Sequence, residues 1–482
     1  MNKNKTIIVF LLILIFGSFL RFYKLDLQSL WLDELVTKRT ASLENVQEVI
    51  NLTAKVDVHP PGFYMISHYW IKIIGSSEID IRLLSAICGS LAILAVFVLT
   101  MKLYSKREAL ISALLVAVFW FPVYYSQEAR PYSLLFLFSV VSTIFYYPLV
   151  KKFYRKESSK TINTILYMGS IIVTSYIHYF GTYLVFLQGV FLFLPAIRNK
   201  KNFYEWLIIY LTVIIFFLPW IPYMLMQYGG KIAQSRHSGQ EFIKMFRYLI
   251  FIFNNSKIVL LVTFIVIGFL MIIIFKNKRL KPKEILKSLK IETVFLIAWF
   301  FVPLLTIIII SYYIKPVFSF RNMIITYAPV PILISRLVVK ADFHKKAKKI
   351  IIFLFVIFLL YNLVLTKEYY SKPTKEQFRG VAKFVISEYN PEEKTEIFAL
   401  TYSKEFFNYY FRIYNSKVRV KYKFEESKDL QTALDKYKLN SFWLISGHKK
   451  FTKELLKKLN EKFHLIKQKK FIGAQALLYK RK

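Results

Sequence analysis

Unbroken apolar stretches of bilayer length recur through most of this chain, and they restrict its fold more than any other feature. Crossing the hydrocarbon core takes about 18–20 apolar residues in a helix. Runs such as "TIIVFLLILIFGSFL" and "IVLLVTFIVIGFLMIIIF" are of that order. Hydrophobic residues fill 56% of the 482 positions, a share that soluble proteins of this length do not carry in continuous runs. The chain reads as a polytopic all-α membrane protein. About eleven transmembrane helices are expected, near 6–22, 82–103, 109–126, 132–150, 161–178, 180–197, 204–225, 248–275, 291–312, 322–340 and 349–366.

A formal charge of +39 would suggest nucleic acid in a soluble protein, but here the basic residues sit between apolar spans. "KLYSKRE", "KKFYRKESSK", "RNKKNFYE", "KNKRLKPKEILKSLK" and "KADFHKKAKK" fall on one side with the N-terminal "MNKNK". The positive-inside rule makes that side the cytoplasm. No nucleic-acid partner is expected. Residues 23–81, "SQEARPY", the turn near His178, the 226–247 loop, "YYIKPVFSFRN" and everything after about 367 then face outside. The expected location is the plasma or inner membrane. The basic start resembles a signal peptide, but Arg21 follows the apolar core where a small-x-small cleavage site would be, so it reads as an uncleaved first span. Cys88 is the one cysteine and lies in an apolar run, which leaves no disulfide framework.

Two segments depart from the span pattern. From Lys367 the apolar runs shorten to strand length in "EIFALTY", "VRVKYKF" and "SFWLISG", separated by amphipathic "LQTALDKYKL" and "FTKELLKKLNEKF". Residues 367–482 are therefore expected to form a small extracytoplasmic α/β domain with its own core, and 1–366 the transmembrane module. The tail has no Gly-rich phosphate loop, so its expected role is binding or stabilisation. In the first outer loop, 23–81, "HPPGFYMISHYWIKIIG" is too short and too polar to span. A helix lying in the interface, with Tyr and Trp at headgroup level, accounts for it.

Four sets of polar residues gather on the outer face. Asp33 and Glu34 in "SLWLDELVT" are consecutive, so on a helix they point about 100° apart and cannot do one job on one ligand; an acid pair favoured by the helix dipole is the plain structural reading. Asp57 and His59 lie in "KVDVHPPGFY", where Pro60 keeps His59 out of the α region at a rigid helix entry. That histidine is suited to a phosphate or a metal. Glu128, Arg130 and Tyr132 in "YYSQEARPYSLL" sit between two spans, where ionisable groups are costly unless paired or functional; a Glu–Arg pair closing the turn is the alternative. Arg321 opens a span in "KPVFSFRNMIITYAPVPIL", near Lys315, where a snorkelling arginine is common. Together the carboxylates supply a general base and the arginines bidentate recognition of a phosphate, at the depth of a lipid headgroup.

The set "LWLDE", "HPPGFY", "RLLSAICG", "YYSQEARPYSL", the later "RN" and "EQFRGVAKFV" resembles the GT-C superfamily of membrane glycosyltransferases, in its bacterial protein-mannosyltransferase and aminoarabinose-transferase-like branch. The resemblance is strong over about the first 150 residues and moderate around 315–335. It implies a polyprenyl-phosphate-linked monosaccharide donor and transfer outside the cytoplasm to a lipid, envelope glycan or protein. Carried over, Asp33 matches the catalytic acid of the first loop, Glu34 its partner and Glu128 the acid of the second outer loop. His59, Arg130 and Arg321 fall on the donor-phosphate side. Where the family commonly has Tyr after its later arginine, Asn322 stands here. The expected mechanism is a single displacement with inversion, Asp33 taking the acceptor proton. Asp33, Glu128 and His59 are oxygen and nitrogen donors suited to a divalent metal ion, so metal dependence stays open. A transporter or flippase is the rival class; against it, the charges sit at one interface and no internal repeat is visible.

Overall fold

A computed structural model describes residues 2–229, 241–278, 290–314, 316–393, 395–414, 417–436 and 440–482. Lys315 lies outside the described residues. The chain forms two compact units, one of Met1–Tyr23 with Thr40–Lys367 and one of Lys24–Arg39 with Glu368–Lys482.

The first unit is helical. Its elements begin with α1 (Lys3–Phe22), the end of α2 (Leu32–Ala41), α3 (Val46–Val56), α4 (Gly62–Ile74), α5 (Glu78–Leu103), α6 (Lys106–Val118) and α7 (Trp120–Ser126). They continue with α8 (Tyr132–Arg155), α9 (Thr161–Ile177), α10 (Tyr179–Ala196), α11 (Lys200–Phe217), α12 (Ile221–Gly229), α13 (Glu241–Ile252) and α14 (Lys257–Lys278). Helices Ile291–Tyr313, Pro329–Lys340 and Lys345–Tyr361 close the unit. Among the described residues nine helices are long and apolar enough to cross a membrane, and α6 with α7, bent by 59°, makes a tenth. The eleventh expected span is α9, whose 17 residues reach about 26 Å at 1.5 Å per residue, just under the hydrocarbon thickness. On α1, Ile8, Leu12, Ile15 and Phe19 are exposed, a face suited to lipid and not to water.

The span expected over 248–275 begins at Lys257 instead. Asn254 and Asn255 adopt left-handed backbone angles, φ 57° and 47°, which Asn tolerates and which separate α13 from α14. Broken helices expose backbone groups that lipid cannot satisfy. Here side chains do it. Asn254 Oδ1 accepts from the Trp120 backbone N–H at 2.8 Å, and its Nδ2 donates to the Leu359 carbonyl at 3.3 Å. Arg21, fully buried, donates to the carbonyls of Gly17, Ala117 and Val116 at 2.8, 3.2 and 2.9 Å. The residue that in sequence argued against cleavage is thus a cap shared by α1 and α6.

In the long loop after α1, α4 buries Phe63, Tyr64, Ser67 and His68 and exposes Ile66, Tyr69, Ile73 and Ile74. That apolar outer face fits a helix lying in the interface.

The second unit is α/β. Its sheet has the order β2-β1-β3-β5-β4, from β1 (Glu396–Leu400), β2 (Tyr422–Phe424), β3 (Ser441–Gly447), β4 (Phe463–Phe471) and β5 (Ala474–Arg481). β1 runs parallel to β2 and β3, while β5 is antiparallel to both β3 and β4. Phe398, Leu400, Leu444 and Leu477 from the strands pack with Leu430, Leu455 and Leu459 from two helices, giving the domain a core of its own.

Candidate functional site

The first-loop acids belong to the second unit. Asp33 and Glu34 occupy the first turn of α2, with Glu34 fully buried and Asp33 partly so. Their segment is fastened to the tail domain. Gln28 Oε1 accepts from the backbone N–H groups of Thr374 and Lys375 at 2.8 and 3.3 Å. The Leu30 backbone N–H donates to the Tyr410 hydroxyl at 2.7 Å. Arg379 Nη2 donates to the carbonyls of Asp26 and Leu27 at 2.6 and 2.9 Å. Lys375 also stands 5.6 Å from the Trp31 ring. The "EQFRGVAKFV" motif thus supplies the arginine that grips the chain leading to "LWLDE".

In the first unit a buried polar cluster centres on Asp57. It caps the C-terminus of α3, its backbone N–H donating to the Thr53 carbonyl at 3.0 Å. Its Oδ1 accepts from the Val58 backbone N–H at 2.6 Å and meets His59 Nδ1 at 2.5 Å. Its Oδ2 accepts from the Tyr64 hydroxyl and from both terminal nitrogens of Arg130, at 3.4 and 3.5 Å. Arg130 Nη1 also donates to the Tyr64 oxygen at 2.8 Å. Burial would raise the Asp57 carboxyl, but the charges of His59 and Arg130 and the hydrogen bonds from His59 and Tyr64 outweigh it and hold the group well below the usual carboxylate range. Asp57 is an anion at neutral pH. The "HPPG" turn is fixed from outside as well: Gln227 Nε2 donates to the carbonyls of Asp57 and His59 at 3.0 and 3.1 Å. A Cβ on Gly62 would come within 2.6 Å of the Tyr176 carbonyl, so only glycine lets α4 approach α9 this closely.

The remaining expected residues place as follows. Glu128 and Arg130 lie in the turn between α7 and α8, both buried. The sequence alternative of a turn-closing Glu–Arg pair misses that Arg130 reaches Asp57 across the first loop. Arg321 precedes a short 3-10 helix, Asn322–Thr326, and its guanidinium stands 5.8 Å from the Tyr132 ring. Within this unit the structure therefore brings His59 and Arg130 together through Asp57, and Arg321 to the same turn through Tyr132. Tyr64, Gln227 and His178 were absent from the sequence expectation; His178 lies between α9 and α10, and its ring meets His59 edge-on at 4.4 Å. Its burial, with the neighbouring His59, holds it well below the ordinary imidazole range, so it is neutral. Its only sequence signal was a histidine between two apolar runs.

Beside the turn, Pro61, Gly62, Met65, Tyr176, Trp220 and Tyr223 line a mostly apolar groove of about 690 Å³. Among the described residues no group of three His, Cys, Asp or Glu side chains is placed to hold a metal ion.

Residues 58–223 match the dolichyl-phosphate-mannose-protein mannosyltransferase family. No curated protein matches the chain in sequence. Among solved structures, ArnT from Cupriavidus metallidurans bound to undecaprenyl phosphate is similar with a TM-score of 0.53 at 9% identity, covering 99% of this chain and 98% of that one. The apo oligosaccharyltransferase of Archaeoglobus fulgidus gives 0.52 at 11% identity, covering 92% of this chain and 70% of that one. At these identities the likeness is one of fold, and it bears out the architecture read from the motifs.

Proposed function

We propose that this multi-span membrane protein of GT-C fold transfers a monosaccharide from a polyprenyl-phosphate donor to an acceptor outside the cytoplasm, with inversion. The observation that carries the reading is the buried meeting of His59 and Arg130 on Asp57, with Arg321 over Tyr132. Three cationic or hydrogen-bonding side chains from three separate loops converge beside an apolar groove. A lipid-linked phosphate has that same division, an anion joined to an apolar tail. The apolar groove beside Pro61 accommodates the first isoprenoid units.

In this reading the acceptor oxygen attacks the anomeric carbon while the bond to the phosphate oxygen breaks, its electron pair leaving with the phosphate. Asp33 takes the acceptor proton, with Glu34, buried behind it on the same helical turn, holding the segment. Glu128 orients the reacting groups from the second outer loop. Arg321 and His59 meet the phosphate. Arg130, held by Asp57 and Tyr64, adds positive charge at a fixed place, where stabilising developing charge costs no reorganisation. The tail domain positions the acids through Arg379 and Tyr410. The site and tail face outside the plasma or inner membrane. The lipid, glycan or protein nature of the acceptor follows from products.

The test is transfer by purified protein from synthetic polyprenyl-phosphate sugars, with Asp33→Asn as the control. Wild type should release polyprenyl phosphate and glycosylate an acceptor; Asp33→Asn should bind donor and not turn over. Near-wild-type turnover by Asp33→Asn would remove Asp33 as the base. Lipid translocation without any transfer would replace the enzyme reading by a flippase.

A further inference from the structure

We propose that His178 is a second imidazole on the donor phosphate: its Nε2–H donates to a non-bridging phosphoryl oxygen beside His59. The assignment rests on the polyprenyl-phosphate reading above.

Local geometry fixes the proton on His178. The residue is the N-cap of α10, extended at φ −165° and ψ 143°, and its Nδ1 accepts from the Phe180 backbone N–H at 3.1 Å. A backbone N–H only donates, so Nδ1 is bare and the proton of the neutral ring sits on Nε2. That N–H is buried and has no hydrogen-bond partner among the described residues. His59 repeats the pattern from the other side. Its Nδ1 is taken by Asp57, and its Nε2 is also buried without a partner. Buried polar groups in folded proteins are seldom left unmatched. Here the two unmatched nitrogens belong to two rings in contact, 4.4 Å apart at 88°.

Helix capping explains only half of His178. Asn, Ser or Asp would cap α10 as well or better, without burying a second nitrogen. The surroundings say what the second nitrogen meets. Arg130 reaches the same turn through Asp57, and Arg321 stands by Tyr132, whose ring is 6.2 Å from His178. A fixed N–H donor among cationic groups suits an anion with several oxygens. Burial keeps His178 neutral, so it contributes a directed hydrogen bond, not another charge. As the glycosyl bond breaks, its electron pair passes to the phosphate oxygen and the acceptor proton to Asp33. The phosphate gains negative charge, and a donor on it is worth more in the transition state than in the ground state.

His178→Asn separates the two roles, because Asn keeps the cap and removes the distal N–H. In dodecyl maltoside, with undecaprenyl phosphate as probe, His178→Asn should keep the wild-type melting temperature and bind the probe about tenfold more weakly, roughly 1.4 kcal/mol. With a donor that the wild type turns over, kcat should fall further than KM rises. His178→Ala should show the same losses and a lower melting temperature. Wild-type affinity and turnover in His178→Asn would mean that His178 only caps the helix. A second measurement avoids variants. In the wild type, labelled with 15N-histidine, the His178 Nε2–H resonance should shift downfield on adding undecaprenyl phosphate and stay in place with undecaprenol. No shift with bound phosphate would also overturn the assignment. If the wild type neither binds undecaprenyl phosphate nor transfers from any donor, the functional reading fails and this assignment falls with it.

Discussion

The Asp57–Arg130 contact makes the sharpest energetic prediction. At 3.4 Å the gross attraction between unit charges is about 5 kcal/mol at an effective dielectric of 20, and desolvating both groups offsets most of it. Breaking the pair from one side is a different matter. In Asp57→Asn the buried guanidinium loses the Asp57 carboxylate, and in Arg130→Met that carboxylate keeps hydrogen bonds from Val58, Tyr64 and His59. Each single change should cost about 3–4 kcal/mol. The double variant removes both charges together, so it should cost little more than either one. The coupling should then be about 2–3 kcal/mol. Tyr64→Phe deletes a hydroxyl bonded to both groups and should cost about 1–2 kcal/mol. The assay is reversible unfolding in mixed micelles, titrating SDS against dodecyl maltoside and following tryptophan fluorescence. Single effects that add to within about 0.5 kcal/mol in the double variant would refute the reasoning, since Asp57 and Arg130 would then act independently.

Three further outcomes follow from the same contacts. The His178 ring is held below its unfolded value of about 6.5, so the unfolded chain takes up a proton that the native site refuses; stability should fall as pH drops below about 6.5, by up to about 1.4 kcal/mol per unit, and His178→Asn should flatten that slope. Asp57, also held low, adds its own loss only in more acidic solution, below about 3.8, so the two groups separate in a pH titration of stability. Arg379→Ala releases the carbonyls of Asp26 and Leu27; kcat should drop about tenfold with donor KM little changed, and full activity in steady-state kinetics would mean that the tail does not position the acids. For topology, cysteines placed at the exposed Ser42 and Lys428 in a variant lacking Cys88 should react with an impermeant maleimide in intact cells, and labelling only after the inner membrane is opened would reverse the assigned sides.

The membrane architecture was legible because hydropathy is additive along the chain. No partner is needed to see that 257–278 or 291–313 is apolar enough to span. Breaks were not legible in the same way. "NNS" at 254–256 interrupts an apolar run with three polar residues and no proline, so a continuous span was the natural reading. Two left-handed asparagines end the helix there because distant groups, Trp120 and Leu359, use the Asn254 amide. The site divides likewise. His59, Arg130 and Arg321 stood out as charged or titratable residues where charge is expensive. Asp57 was visible only as a neighbour of His59, and Tyr64 and Gln227 looked like ordinary residues of apolar helices. Their roles depend on contacts across 66 to 170 positions, which no local pattern carries. The tail was the reverse case. Its fold was readable as short strands and amphipathic helices, while its attachment to residues 24–39 needed the carbonyls of Asp26 and Leu27 to meet Arg379.

In the proposed reaction the donor side sits on irregular backbone of the first unit, and the manner in which that backbone is repaired bears on it. A loop buried at membrane depth is tolerated only if its N–H and C=O groups are satisfied by protein or line a cavity. Arg21 and Asn254 do this for the break at Phe119, Gln127 for the end of α1, and Gln227 for the turn before Pro60. Each donor or acceptor comes from another part of the unit, so the turns carrying Glu128, Arg130 and His59 are fixed by several elements together. A site whose charges are held in this way cannot relax its dipoles toward a bound ground state. That rigidity is what electrostatic stabilisation of a leaving phosphate requires. It also means that substitutions at Gln227 or Asn254, which carry no charge, should perturb the site through the backbone they hold.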